Sequence, residues 1–209
     1  MNKQKLNLNK LDFLSMILTF LFIIFNAFLG IYYKSIWNGT ISVYYMFLVI
    51  IRLIIFLNET KIKNSDEKVK NDNRIKIFYI TFIIMILLDI SLIVPITLMV
   101  INERTYNFGL IPAIALALYV TFKITSTIIM YKRNRNNEII TFRQLKTIEL
   151  IDAIVSILTL QNTMIIANNG FDNSMYILTC VTSFIALAFI LLITIMLLIR
   201  IRKVIKRAV

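Results

Sequence analysis

The chain has 209 residues, 59% of them hydrophobic and 16% charged, against roughly 45–50% apolar and about 25% charged in a soluble domain. It reads as an all-α polytopic membrane protein, and at on the order of 20 apolar residues per crossing, six spans fill it and leave no extramembrane domain. The net charge is +12, with no His and one Cys, Cys180. That excludes a histidine base, a His/Cys metal site, a CxxC redox pair and an intrachain disulfide.

In chain order, span 1 is expected over about residues 11–33. Its basic flank (Lys3, Lys5, Lys10) is like that of a signal peptide, but the apolar stretch is too long for one and no A-x-A site follows, so a retained helix is expected. Span 2, about 36–57, carries Asn38, Tyr45 and Arg52 at seven-residue spacing, and a polar, basic loop over 58–76 follows. Span 3, about 77–101, holds Asp89 near the bilayer middle and Pro95, where a kink is expected. Span 4, about 108–131, starts near Pro112, where proline costs little, and sets Tyr119, Lys123, Ser126 and Thr127 on one face.

A second basic loop is expected over 132–146, then span 5 over about 147–167. Glu149, Asp152, Ser156, Thr159 and Thr163 recur there at spacings of three, four, three and four, which places them on one helical face. Gln161 and Asn162 lie on other faces, so span 5 is expected to be surrounded by protein. Span 6, about 175–199, has no charge between Asp172 and Arg200 and reads, with span 1, as a peripheral anchor.

Sidedness accounts for most of the charge. Nineteen of the 23 Lys and Arg residues fall in the N-terminal flank, the 58–76 and 132–146 loops and the C-terminal tail, two (Lys34, Arg104) in the other turns and two (Arg52, Lys123) inside spans. The positive-inside rule then puts both termini in the cytoplasm. The short outer turns imply three antiparallel hairpins, spans 1/2, 3/4 and 5/6, forming one six-helix transmembrane domain over residues 1–209.

Ionisable groups inside spans are costly and mark functional or paired sites. Depth matching, at ~1.5 Å per residue, pairs Asp89 with Lys123 and Arg52 with Asp152, although both cations are also close enough to the interface to snorkel. Asp89 is too short to snorkel and needs a cation or a proton. The span 5 stripe is either interhelical hydrogen-bonding glue or the lining of a cavity open to the cytoplasm.

Ser35-Ile-Trp37, Tyr44-Tyr45, Arg52, Tyr119, Lys123, Tyr131-Lys132 and Ser156-Ile-Leu-Thr-Leu-Gln161 resemble, at the level of pattern, a group of six-span bacterial membrane proteins with no assigned activity. The resemblance implies six helices and brings no substrate or site residues.

Walker A, GxSxG and HExxH motifs are absent from the sequence, and an enzyme is not expected; nor is a cofactor. Two functions stay open. One is a small-solute or ion transporter with a polar cavity among spans 2 to 5, open to the cytoplasm, using Asp89, Lys123, Arg52, Asp152, Glu149, Ser156, Thr159, Thr163, Gln161 and Tyr119. The other is a non-catalytic subunit of a larger membrane complex, or a binder of anionic lipid headgroups through its basic face. Either would sit in a bacterial plasma membrane, and sidedness makes nucleic-acid binding unnecessary.

Overall fold

The computed structural model describes residues 10–101, 110–133, 139–167 and 173–208. They form α1 (Lys10–Tyr32), α2 (Ile36–Ile62), α3 (Glu67–Ser91), α4 (Ile93–Ile101), α5 (Leu110–Arg133), α6 (Ile140–Ala167) and α7 (Asn173–Ala208). Six stretches are long and apolar enough to cross a bilayer: Leu14–Tyr32, Ile36–Ile62, Glu67–Thr97, Ile111–Lys132, Ile140–Ile165 and Ile177–Lys203. The surface agrees, because Phe20, Phe28, Ile83, Leu118, Phe184 and Ile195 all face outwards, an apolar perimeter that lipid covers and water would not tolerate. The chain is a multi-pass membrane protein.

Much of the two expected basic loops is helix. α2 runs on to Ile62, α3 begins at Glu67 and α6 at Ile140, while residues 134–138 and the expected turns at 102–109 and 168–172 lie outside the described residues. Hydropathy marks where lipid contact ends; a helix can continue into water on Lys, Glu, Arg and Asn, provided it has something to pack on. Here Ile62, Ile140 and Phe142 are buried, and Glu59 is held by Arg74 and Thr141.

The reversal between α1 and α2 takes three residues. Lys34 adopts a left-handed φ of 52°, so the Tyr33 N–H donates to Leu29 O and the Ser35 N–H to Gly30 O, each at 3.0 Å, which satisfies carbonyls that the helix end would leave bare. Ser35 then caps α2, its Oγ accepting from the Asn38 N–H at 3.4 Å, as serine favours. Immediately beyond, the two backbones touch: a Cβ on Gly30 would stand 2.8 Å from the Gly39 nitrogen and 3.0 Å from its Cα, whereas a Cβ on Gly39 meets nothing within 4 Å. Small residues at such crossings let membrane helices approach.

The kink expected in span 3 is a break between α3 and α4 at Leu92, one turn before Pro95. Pro95 offers no N–H to the Ser91 carbonyl, and its ring crowds that oxygen. The Ser91 hydroxyl donates back to Leu88 O at 2.7 Å, and the helix resumes with the Ile96 N–H on Leu92 O.

α2 and α6 form the centre. α2 packs on α1, α3, α4 and α6; α6 packs on α2, α3, α5 and α7; α1 meets α5 on one flank, and α7 meets α3 and α4 on the other. Among the described residues α5 packs on α1 and α6. The core between them is apolar and aromatic, with Trp37, Ile41, Tyr45, Ile51, Phe78, Met85 and Val155 almost fully enclosed.

The glycine contact makes an asymmetric prediction. Gly30→Ala pushes a methyl group into backbone that cannot yield and destabilises the protein by about 1–3 kcal/mol, while Gly39→Ala leaves it unchanged. Thermal unfolding of the two variants in detergent checks this; equal effects would contradict the α1/α2 crossing.

Candidate functional site: a buried four-charge cluster

Three pairings fix how α2 and α6 lie. Tyr45 meets Ser156, Arg52 meets Asp152 and Glu149, and Glu59 meets Thr141. Residue numbers rise along α2 as they fall along α6, so the two helices run antiparallel. Helical side chains lean towards the N-terminus of their own helix. On antiparallel helices those leans are opposed, and the long Arg52 side chain spans the turn between Asp152 and Glu149 to meet both.

The result is a neutral set of two cations and two anions drawn from three helices. Arg52 Nη2 lies 2.6 Å from Asp152 Oδ2 and Nη1 lies 3.0 Å from Glu149 Oε1. Lys123 Nζ, from α5, lies 2.5 Å from the same Asp152 Oδ2 and 3.5 Å from Glu149 Oε2. α1 supplies a fourth wall, since Ser15 Oγ accepts from Lys123 Nζ at 3.0 Å and lies 3.2 and 3.3 Å from the Glu149 oxygens, to which it donates. Each cation touches both carboxylates. The relative exposure is 0% for Lys123 and Asp152, 5% for Arg52 and Glu149. A lone charge at the centre of a span costs about 2.5–3.5 kcal/mol even on the lenient insertion scale, so none of the four is affordable without the others.

Around the cluster the hydrogen bonding is incomplete. Tyr45 Oη shares a 2.8 Å bond with Ser156 Oγ, and Ser156 Oγ also donates to Asp152 O at 2.7 Å. Thr127 Oγ1 donates to Glu149 O at 3.4 Å. Yet Arg52 Nε, Asp152 Oδ1 and Ser126 Oγ are buried without a hydrogen-bond partner, and Arg52 Nη1 makes its ionic contact without hydrogen-bond alignment, while the Tyr119 hydroxyl lies against that of Thr19. Tyr119 is otherwise held by stacking on Phe22, with ring centroids 4.0 Å apart and planes 5° from parallel.

The sequence-derived pairs divide. Arg52 with Asp152 is present. Asp89 with Lys123 is not: Asp89 Oδ2 accepts from Thr194 Oγ1 of α7 at 2.7 Å, and Lys123 is taken by Asp152 and Glu149. The pairing failed because depth says nothing of azimuth, and Lys123 turns towards α6 and α1. Neither cation snorkels, because both meet carboxylates on the inward face of α6.

The span 5 stripe divides too. Glu149, Asp152 and Ser156 enter the cluster, whereas Thr159 and Thr163 turn their hydroxyls onto Val155 O and Thr159 O, four residues back on their own helix, at 2.9 Å each, a common resting place for hydroxyls in membrane helices. Gln161 Nε2 crosses to Thr182 Oγ1 of α7 at 2.7 Å. With Thr194 on Asp89 as well, α7 is more than a plain anchor, and Ser15 brings α1 into the centre.

A second polar group was hidden in the expected loop. Arg74 grips Glu59 in a fork, Nε on Oε1 at 2.7 Å and Nη2 on Oε2 at 2.8 Å, and Thr141 Oγ1 donates to the same Oε1 at 2.5 Å. One turn along, Gln144 Nε2 donates to Thr81 Oγ1. α2, α3 and α6 are thereby clasped beyond the four-charge cluster. The signal was legible: Glu59 continues the seven-residue series Asn38, Tyr45, Arg52.

Fold and site define an integral membrane protein with a charge-balanced polar centre. No protein-family model, no curated protein and no solved structure matches the chain.

Asp152→Asn leaves two cations facing one carboxylate and is expected to destabilise the protein by about 3–5 kcal/mol, whereas Thr159→Val and Thr163→Val stay within about 0.5 kcal/mol. Denaturant unfolding in detergent measures the contrast. Similar losses across the three would mean that the stripe acts as one element and the cluster has no special weight.

Proposed function

We propose that the chain is a small-solute or ion transporter whose pathway passes the four-charge cluster between α2, α5 and α6. The observation that carries this reading is the incomplete hydrogen bonding around fully buried charges. Stability alone favours apolar residues of similar volume over buried ion pairs, and a purely structural polar network satisfies its donors and acceptors. This one keeps a free donor on Arg52, a free acceptor on Asp152 and a free hydroxyl, that of Ser126, one turn from Lys123 on α5. Shared acceptors add to the argument: each cation already contacts both carboxylates, so an arriving ion or polar solute displaces one partner while the other holds.

In this reading the spans pair as antiparallel hairpins, the termini and the basic helix ends face the cytoplasm of a bacterial cell, and the Glu59 clasp closes the cytoplasmic side. The cavity opens on that side when the clasp parts. No catalytic role is proposed.

A second reading is that of a non-catalytic subunit or anionic-lipid binder. It is favoured by the exposed basic residues at helix ends, among them Lys61, Lys63, Lys68, Arg202 and Lys203.

The test uses proteoliposomes holding the full chain, with proton, sodium and chloride gradients imposed in turn. The transport reading predicts flux of at least one of these above protein-free vesicles. Ser126→Ala is expected to reduce it while leaving unfolding unchanged or raised, because removing an unpaired buried hydroxyl costs the fold nothing. Wild-type vesicles silent to all three, with a second membrane protein co-purifying in fixed ratio, would replace this reading with the subunit.

A further inference from the structure

Among the described residues Asp89 is the buried carboxylate that no ion pair holds: Glu149 and Asp152 belong to the cluster and Glu59 is gripped by Arg74. Asp89 is 1% exposed, sits in the last turn of α3 before the break at Leu92, and has no cation within ion-pair distance among the described residues. The charged groups on the helices packed against α3 are engaged elsewhere or distant. On α2, Arg52 is committed to Glu149 and Asp152, and Glu59 to Arg74; on α6, Glu149 and Asp152 are committed to Arg52 and Lys123. α4 has no charged residue, and α7 has none between Thr194 and Arg200.

What meets Asp89 instead is a hydroxyl. Thr194 Oγ1 donates to Oδ2 at 2.7 Å. Tyr44, 3% exposed, lies within electrostatic reach of Asp89, and its Oη has no hydrogen-bond partner. A bare carboxylate served by one hydroxyl in a low-dielectric interior is strongly disfavoured. Its charge must be removed by a bound cation or a proton. A hard cation takes about six oxygens, more than the carboxylate, Thr194 and Tyr44 provide. A proton needs no such shell: it neutralises the carboxyl directly, while Thr194 Oγ1 keeps its bond to Oδ2.

We infer that Asp89 is a reversible proton-binding site, with Thr194 Oγ1 donating to one carboxyl oxygen and the proton carried on the other. The balance is simple: the carboxylate takes up one proton to form the acid and gives the same proton back.

The site is joined to the cluster through α2. Tyr44, whose charge environment includes Asp89, and Tyr45, which bonds to Ser156 and the Asp152 carbonyl, are successive residues with rings in edge contact at 5.9 Å. Repositioning of α2 when Asp89 exchanges its proton moves both. The existence of the site is independent of the transport reading; its use as the coupling site for a proton rests on that reading.

The experiment is a pH titration of the full chain in lipid, followed by infrared difference spectroscopy in the carbonyl stretch of protonated carboxylic acids. The wild type is expected to show a titrating acid band that is absent from Asp89→Asn and displaced in frequency in Thr194→Val, which keeps the carboxyl and removes its donor. Asp152→Asn and Glu149→Gln should leave the band in place.

Persistence of the band in Asp89→Asn, or a band indifferent to Thr194→Val, overturns the inference. So does its loss on adding sodium at constant pH, which would mark a cation site. Should Asp89→Asn fail to fold, Thr194→Val decides alone. Because the band is read without any flux, vesicles that transport nothing leave this result standing, and a missing band leaves a measured flux standing.

Discussion

Charge neutrality at transmembrane depth is the constraint on which the rest of the structure depends. Two cations and two anions lie buried in the protein interior, and each is tolerable only while the two opposite charges stay within ion-pair distance. That demand fixes the helices that carry them. Arg52 sets the rotation of α2, Lys123 that of α5, and the turn from Glu149 to Asp152 that of α6, while Ser15 draws α1 against the same point. Lipid offers little preference among apolar faces, because one Leu in hydrocarbon is much like another. Orientation must then come from polar contacts, and here it comes chiefly from one place.

The other flank follows the same logic with weaker pieces. Thr194 on Asp89 and Gln161 on Thr182 tie α7 to α3 and α6, and the Glu59, Arg74 and Thr141 group closes the end of α2 against α3 and α6. These contacts leave α2 and α6 engaged on both sides, as central helices should be. The break at Leu92 lies beside Asp89, so the buried carboxylate that, among the described residues, stands outside the ion pairs sits where backbone continuity is also interrupted. Discontinuous helices near buried charge are a recurring feature of membrane proteins that handle ions, and this coincidence gives Asp89 its interest.

Much of this was legible in the sequence, and the failures have physical causes. Six apolar runs, the kink near Pro95, the Arg52 and Asp152 pair and the crowding around span 5 all follow from length, proline chemistry and helical periodicity. What periodicity cannot supply is azimuth between helices. Lys123 and Asp89 share a depth but face different neighbours, and the Thr159 and Thr163 positions on the stripe say nothing of whether a hydroxyl reaches across or folds back on its own carbonyl. Hydropathy also stopped reading too early. Because polar residues were taken as loop, the helical extensions and the Glu59 clasp went unseen, even though Glu59 continues the series that had already singled out Arg52. Ser15 and Thr194 gave little signal, since single hydroxyls are frequent in spans and acquire meaning only from the partner opposite.

The central claim is that the four charges act as one coupled unit, and a double-mutant cycle between Lys123 and Asp152 tests it most directly. Lys123→Met and Asp152→Asn each strand opposite charge, while the double variant restores neutrality with Arg52 and Glu149 still paired. The account predicts that the double variant is less destabilised than the sum of the singles by at least about 1 kcal/mol in denaturant unfolding. Additive losses, within about 0.5 kcal/mol, would contradict it.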